Sequence, residues 1–397
     1  MNVLYISYDG ILDPVGQSQV IPYLSGLITK GASITLISFE KKDKLMSTYA
    51  ATIQSDLITK GIKWIPLRYH KKPIVAATSF DIIQGLLVGL FITWRDGIKI
   101  IHARGYITGL IALLIKKLTK VSFIFDMRGF WADEKADAKA WFPEGTLYRL
   151  TKYMERIFIC GSDEIVVLTK KARKTLEEKF KHNHASVIPC CVDMEHFKPC
   201  PSDNSNLNIP QGRFIVTYLG SVGTFYRFDE IVHFYSLLRE EIPNAFFLAI
   251  TNNDLPLISE TLSDYSIESN NYLITSVVHP EVPTILKQST ISLIFYHRPL
   301  SGVGCCPIKF GESLSCGVPV VINSGIGDCD QIVQKERVGV VIDEYTEKSY
   351  ARAIEALKEL LREGNSLQER CRKVAQRYFS LEMGTEEYWK IYQRLQV

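Results

Sequence analysis

The segment PIKFGESLSCGVPVV, Pro307 to Val321, sets Gly311 and Glu312 at the start of a predicted helix that ends at Gly317, ahead of a predicted strand at Val318 to Asn323. A carboxylate in a first helical turn can accept hydrogen bonds from two vicinal ribose hydroxyls, while the backbone N–H groups there face a diphosphate. With no ligand the same carboxylate would only complement the helix dipole, worth ~0.3–1 kcal/mol. Lys309 stands just before this turn, and Arg227 follows the loop GSVGT that begins at Gly220 and Ser221. Two further predicted strands end in polar pairs, His102 with Arg104 in IIHARGY and Asp126 with Arg128 in FDMRG. Each pair reads as a ligand contact or as a structural hydrogen-bonded pair at a strand end. The first predicted strand runs into YDGILDPVGQ, where Gly16 lets backbone approach a ligand closely, or serves a plain turn. Asp328 and Asp330 have D-x-D spacing, but with no third carboxylate or His nearby they read as a loop and not as a metal site. No H-E-x-x-H, G-x-S-x-G or P-loop pattern occurs.

Positioning these residues requires strands whose carboxyl ends carry the loops. Short apolar runs alternate with stretches of helical period along nearly the whole chain, the signature of parallel α/β units. Strands are predicted at Val3 to Ser7, Ser33 to Phe39, Ile98 to His102, Ser122 to Asp126, Glu164 to Leu168 and Ser186 to Pro189. After a Pro- and Asn-rich linker at 200–212 the alternation restarts at Phe214 to Leu219, and a helix is predicted over Arg227 to Glu241. Further strands follow at Ala245 to Ile250, Tyr272 to Thr275, Ile291 to Phe295 and Gly339 to Ile342. The simplest architecture is α/β, two doubly wound Rossmann-like domains in tandem over 1–199 and 213–379, with ligands at the strands' carboxyl ends and a cleft between the domains.

Composition agrees with that class. The 397 residues are 46% hydrophobic and 22% charged with a formal net charge of +3, which excludes disordered and collagen-like chains and argues against nucleic acid as the main partner. Nine cysteines without a C-x-x-C pair suit reduced thiols in the cytoplasm, and the N-terminus reads as a first strand and not as a signal peptide. The longest apolar run, Phe80 to Trp94, falls short of the ~20 residues that span a bilayer and contains Asp81.

IPCCVDMEHFKP, Ile188 to Pro199, and PIKFGESLSCGVPVV resemble the IPNGVDxxxFxP segment and the second half of the Glu-x7-Glu signature of glycosyltransferase family 4. YDGILDPVGQSQVIPYLSGL and YLGSVGTFYRFDEIV are similar to that family as well, so the resemblance covers nearly the whole chain. It implies the GT-B fold, transfer of a sugar from a nucleotide-sugar donor with retention of configuration, donor binding in the second domain and acceptor binding in the first. It implies that Glu312, Gly311, Phe310, Gly220, Ser221 and Gly16 serve the donor. By the same resemblance Lys309 and Arg227 hold its diphosphate, stabilising the charge that develops on the leaving group in place of a metal. Asp126 and Arg128 stand where the family often carries a catalytic His, and His102 and Arg104 lie on the acceptor side. The last helix, within 380–397, is expected to pack back on the first domain. Gly304 stands where the family usually has its first Glu, which leaves a second reading open: a non-catalytic nucleotide-sugar-binding subunit of a transferase complex.

Lys99, Arg104, Lys116, Lys117, Lys120 and Arg128 face Asp126 alone in their stretch, and Lys60, Lys63, Arg68, Lys71 and Lys72 have no acid between them. With the apolar run from Phe80 nearby, this suggests an anionic membrane surface as a partner and a lipid-linked sugar as acceptor, in cell-surface polysaccharide or glycolipid assembly. A helix buried at Phe80 to Trp94 among solvated lysines is the competing reading.

Overall fold

A computed structural model describes residues 1–180, 185–198, 207, 209–223, 225–251 and 255–396. The chain forms two compact units, one of Met1–Ala136, Trp141–Pro189 and Leu381–Val397, the other of Asp137–Ala140 and Cys190–Ser380.

Seven strands make the sheet of the first unit: β1 Asn2–Ser7, β2 Ser33–Glu40, β3 Lys63–Arg68, β4 Ile100–Arg104, β5 Ser122–Asp126, β6 Glu164–Val167 and β7 Ala185–Val187. All pair in parallel in the order β3-β2-β1-β4-β5-β6-β7, so the strand order turns back between β1 and β4. Continuous apolar runs such as Phe123 to Phe125 are buried, as expected of a sheet covered on both faces. The edge strand β3 was not expected from the sequence, because Lys63, Pro66 and Arg68 interrupt its apolar pattern; an edge position tolerates the missing N–H of Pro66.

The second unit carries β8 Phe214–Leu219, β9 Ala245–Ile250, β10 Tyr272–Thr275, β11 Ile291–Ile294, β12 Val320–Asn323 and β13 Gly339–Ile342, parallel in the order β10-β9-β8-β11-β12-β13. Its core sets Phe234, Tyr235, Phe247, Phe295 and Tyr350 against the sheet.

Three expectations need correction. The first unit gives way at Pro189, ten residues before the expected boundary at 199, because Val192 bridges Ser380 and Arg372 donates to the carbonyls of Met194 and Phe197, tying that segment into the second unit. The expected linker at 200–212 lies partly outside the described residues, as does Thr224. Leu207 and Ile209 pack with Ile215, Phe246 and Leu248, so this part belongs to the second unit. The apolar run at Phe80 belongs to a longer helix, Ile74–Arg95, whose 22 residues are long and apolar enough by length and composition to cross a membrane. Thr78 and Ser79 shorten the run as counted in sequence without interrupting the helix.

That helix is held on its inner face by glycine. A Cβ on Gly85 or Gly89 would lie 2.7 Å from the Cδ1 of Ile111 or Ile115 of the Tyr106–Thr119 helix, so glycine lets those side chains pack here without shifting. Its one acid, Asp81, is buried and accepts from Tyr8 Oη at 2.9 Å while its other oxygen lies 2.6 Å from His70 Nδ1. Phe80, Ile83, Leu87, Phe91 and Trp94 are exposed in a line at helical spacing.

The final helix, Leu381–Leu395, packs within the first unit, where a Cβ on Gly26 would meet Thr385 Cγ2 at 2.8 Å. Tyr388 Oη donates to Asp126 Oδ2 at 3.0 Å, Tyr392 Oη lies 2.8 Å from His102 Nδ1, and Arg394 bonds Glu164. Tyr388→Phe removes a buried hydrogen bond to a carboxylate and is expected to cost about 1.5–3 kcal/mol, read as a lower urea midpoint; an unchanged midpoint would show that the contact adds nothing to docking of this helix.

Candidate functional site

The helix that carries Lys309 and Glu312 spans Ile308–Ser315. It starts three residues before the expected point, with Pro307 in extended backbone as its N-cap, so Lys309 takes the first turn and Glu312 the second. The first-turn reading of Glu312 is thereby corrected. The helix stops where expected, because Gly317 takes φ of +80°, a left-handed conformation that releases the chain into β12.

Lys309 reaches back over the carboxyl end of β8. Its ammonium lies 3.8 Å from the centroid of the Tyr226 ring and 5.8 Å from that of Tyr218. The nitrogen is buried and has no hydrogen-bond partner among the described residues, and burial pushes its pKa below the ordinary lysine value. The cation–π contact offsets part of the desolvation, typically by about 0.5–2 kcal/mol, and the Tyr226 hydroxyl and the Glu312 carboxylate oppose it further without outweighing it. Gly220 makes room for it: a Cβ there would lie 1.8 Å from Lys309 Nζ, and φ of +151° also favours glycine. Tyr218 donates to the carbonyl of Ser221, which fixes the turn beside the ammonium.

Glu312 is buried, with Oε1 3.4 Å from His279 Nε2. His279 stacks on His196, with ring centroids 5.8 Å apart. Sequence reasoning missed both histidines; His196 sits inside the quoted IPCCVDMEHFKP segment, but nothing marks His279. The buried cation of Lys309 and the carboxylate of Glu312 stand three residues apart on one helix. Together they can take an anionic group and a pair of hydroxyls from one ligand.

The other expected donor residues fall elsewhere. Arg227 is held by Asp229 at 3.0 Å and Glu230 at 2.6 Å, with its guanidinium over Tyr345, so its donors go to these carboxylates. Phe310 is fully buried and set edge-on to Phe379, and a Cβ on Gly311 would press on Val192, so both are packing residues. Gly16 sits inside a helix, Pro14–Gln19, where a Cβ would lie 2.2 Å from Ile11 Cα; its small size serves its own chain. The loop ahead of it is braced by buried Glu40, which accepts from the N–H groups of Ile11 and Leu12. Gly304, where a carboxylate was expected by resemblance, is buried in the short turn Gly302–Gly304. The loop expected at Asp328 and Asp330 is corrected: Asp328 is the N-cap and Asp330 stands in the first turn of a helix, Cys329–Glu336, where it accepts from the backbone N–H of Gly325.

In the first unit His102, Arg104 and Asp126 meet at the ends of β4 and β5, Arg104 directly opposite Asp126 in the ladder. Asp126 is fully buried. Burial raises its carboxyl, but Arg128, His102 and Arg104 outweigh that and hold it at about 2. Burial pushes the His102 imidazole below its ordinary value, so at neutral pH it is uncharged.

Two family models match the chain, one described as Glycosyltransferase Family 4 over residues 23–196 and one as Glycosyl transferases group 1 over residues 201–378. No curated protein matches it. Among solved structures it is similar to sucrose-phosphate synthase from Thermosynechococcus elongatus, at 14% identity and a TM-score of 0.78 over 100% of this chain and 99% of that one. It is similar to a glycosyltransferase from Rickettsia africae at 16% identity and a TM-score of 0.73, over 99% and 98% of the two chains. HepE from Anabaena, solved with UDP-glucose, gives 11% identity and a TM-score of 0.73 over 99% and 100%. At these identities the likeness is one of fold, that of the two-domain GT-B enzymes.

A buried, depressed lysine makes the fold favour its neutral form. Between its folded pKa and the unfolded value of 10.5 the unfolded chain holds more protons, so stability rises with pH, and at pH 7 the charged group is a net cost. Lys309→Met is therefore expected to raise Tm by about 2–4 °C for each kcal/mol relieved, while affinity for inorganic pyrophosphate falls ten-fold or more. A variant that loses stability and keeps that affinity would make Lys309 a structural residue.

Proposed function

This chain belongs to the family 4-type glycosyltransferases, and from that premise we propose that it moves a hexose from a nucleotide-diphosphate donor to a hydroxyl of an acceptor, with retention of configuration. The observation that carries the donor assignment is the buried, unpartnered ammonium of Lys309 one helical turn from Glu312. A cation held without an acceptor is preorganised for negative charge, and the negative charge that grows in such a reaction lies on the departing diphosphate. Glu312, kept in place beside His279, accepts from the ribose hydroxyls. The UDP-glucose held by HepE supports a donor of this class. Lys309 supplies the positive charge that a divalent metal would otherwise bring.

Release of nucleoside diphosphate from a panel of donors tests this. Turnover with one donor and an acceptor is expected, unaffected by EDTA, and Glu312→Ala should lower kcat/KM about ten- to hundred-fold through loss of a charged hydrogen bond. Donor binding without release would favour the non-catalytic subunit, and activity lost to EDTA and restored by Mn²⁺ would return Asp328 and Asp330 to consideration.

The acceptor we propose is lipid-linked, reached when the first unit docks on the anionic cytoplasmic face of a membrane during polysaccharide or glycolipid assembly. The exposed line of Phe80, Ile83, Leu87, Phe91 and Trp94 supports an apolar surface as its occupant, and exposed cations precede it in the chain. Arg68, Lys71 and Lys72 are exposed just before the helix. Lys117, Leu118 and Lys120 are exposed at the end of the helix that packs on its inner face, while Arg95 at its own end is paired with Asp96. Arg104 and Arg128, counted with this patch in the sequence, are not part of it; Arg104 is buried, and Lys60, Lys63 and Lys116 are paired with acids. A second copy of the chain on this face would set cations against cations. Sedimentation with anionic vesicles is expected to carry the protein down at low salt, at about 1 kcal/mol per cation near the surface, and to fail for the Leu87→Glu, Phe91→Glu double variant. Equal recovery in the supernatant with anionic and neutral vesicles would end the idea.

A further inference from the structure

The first unit buries an arginine whose hydrogen-bonding capacity is largely unused. Arg104 is 5% exposed, and neither Nε nor Nη1 has a hydrogen-bond partner. The acids nearest to it stay at ion-pair range, Asp9 Oδ2 at 3.5 Å from Nε and Asp126 Oδ2 at 3.9 Å from Nη1. Asp126 Oδ2 already takes the Tyr388 hydroxyl, and Asp9 is more than half exposed. A second guanidinium, Arg128, comes from the end of β5, with Nη1 3.7 Å from Asp126 Oδ1 and Nη2 donating to Gln19 at 3.4 Å. Two guanidiniums thus face one buried carboxylate; Tyr5 shares a side-chain hydrogen bond with Arg104, and burial holds both the Tyr5 hydroxyl and the His102 ring neutral, leaving the Arg104 Nε and Nη1 hydrogen bonds unmade.

The backbone around these side chains is shaped for a close approach. Arg104 is followed by Gly105 at φ of +87° and Arg128, itself at +56°, by Gly129 at +149°. A Cβ on Gly105 would meet nothing within 4 Å, so the space beside the β4 turn is open. Arg104 also leads directly into the Tyr106–Thr119 helix, whose first N–H groups add to the positive potential at that end. Leaving buried guanidinium donors unmade is unfavourable, and a planar fork of N–H groups matches an oxyanion in two-point contact.

We propose that Arg104, with Arg128 beside it, binds an oxyanion, phosphoryl or carboxylate, carried by the acceptor. The assignment to the acceptor rests on the glycosyl-transfer reading; the binding of an oxyanion does not. The acceptor class is then a sugar bearing an acidic group, or a sugar joined to a phosphate or diphosphate carrier. In that arrangement the arginines hold the anionic group and leave a neutral hydroxyl of the same molecule to react. Asp126 keeps the two like charges together.

The experiment uses the full-length chain in the Lys309→Met background, which removes the other buried cation, and follows thermal unfolding with inorganic phosphate and with glucuronate as separate probes. One of the two is expected to raise Tm by roughly 5–10 °C at about a hundred times its Kd, and that rise should vanish on adding Arg104→Gln. Phosphate acting alone names a phosphoryl group, glucuronate alone a carboxylate. Arg104→Lys keeps the charge without the fork and should weaken binding about ten-fold, which serves if the Gln variant does not fold. No shift with either probe, or a shift that survives both Arg104 variants, overturns the proposal. Failure of the transfer reading would appear instead as absent donor turnover with oxyanion binding intact.

Discussion

A lysine ammonium buried over an aromatic ring, with no well-formed hydrogen bond among the described residues, is an unfavourable object to fold around, and the second unit is arranged to keep it. Gly220 leaves the space, Tyr226 and Tyr218 line it, and Pro307 starts the helix early enough to bring Lys309 there and set Glu312 one turn on. Each of these comes from a different strand end or loop, so the cation's position depends on the parallel sheet that gathers those ends. Neutralising the lysine would make the same fold easier to reach, which is the usual mark of a group retained for a ligand. The first unit repeats the theme with Arg104, at the ends of its own strands and with glycine turns in place of an aromatic ring.

Much of the scaffold was legible because it is written in short-range pattern. β5, β8, β9, β10 and β13 are uninterrupted apolar runs closed by turn residues, and they fall at their expected bounds. β3 was lost because an edge strand carries charge and a proline, and the early start of the Ile74–Arg95 helix because polar residues near its N-terminus do not break helical hydrogen bonding. The expected placing of Phe310 and Gly311 beside the donor ignored their packing on Phe379 and Val192, contacts made by segments distant in sequence.

The site was legible in its residue types and less so in its charges. Lys309 and Glu312 lie three positions apart, and that spacing was sufficient to pair them. What made Lys309 distinctive, its lack of an acceptor, depends on Gly220 and Tyr226 about eighty residues earlier and left no trace in local pattern. Arg227 shows the opposite case. Its carboxylate partners follow at two and three residues in the stretch RFDE, and local pairing alone decided where its donors went. Charge counts over the first unit likewise merged two populations, exposed lysines and arginines drawn into the sheet end, which only burial separates.

The return of Leu381–Leu395 to the first unit bears on the order in which the chain acquires its structure. During synthesis residues 1–189 precede the second unit, yet the partners of His102 and Asp126, Tyr392 and Tyr388, follow that unit in the chain. Until they arrive, the β4–β5 end of the sheet stands with a carboxylate, an imidazole and the face of the Gly26 helix uncovered. The whole second unit can fold in that interval, since domains generally fold as units from the N-terminal side. The nascent first unit is therefore an unfinished, client-like species while the second unit is made, and the Leu381–Leu395 helix acts as its closing stitch.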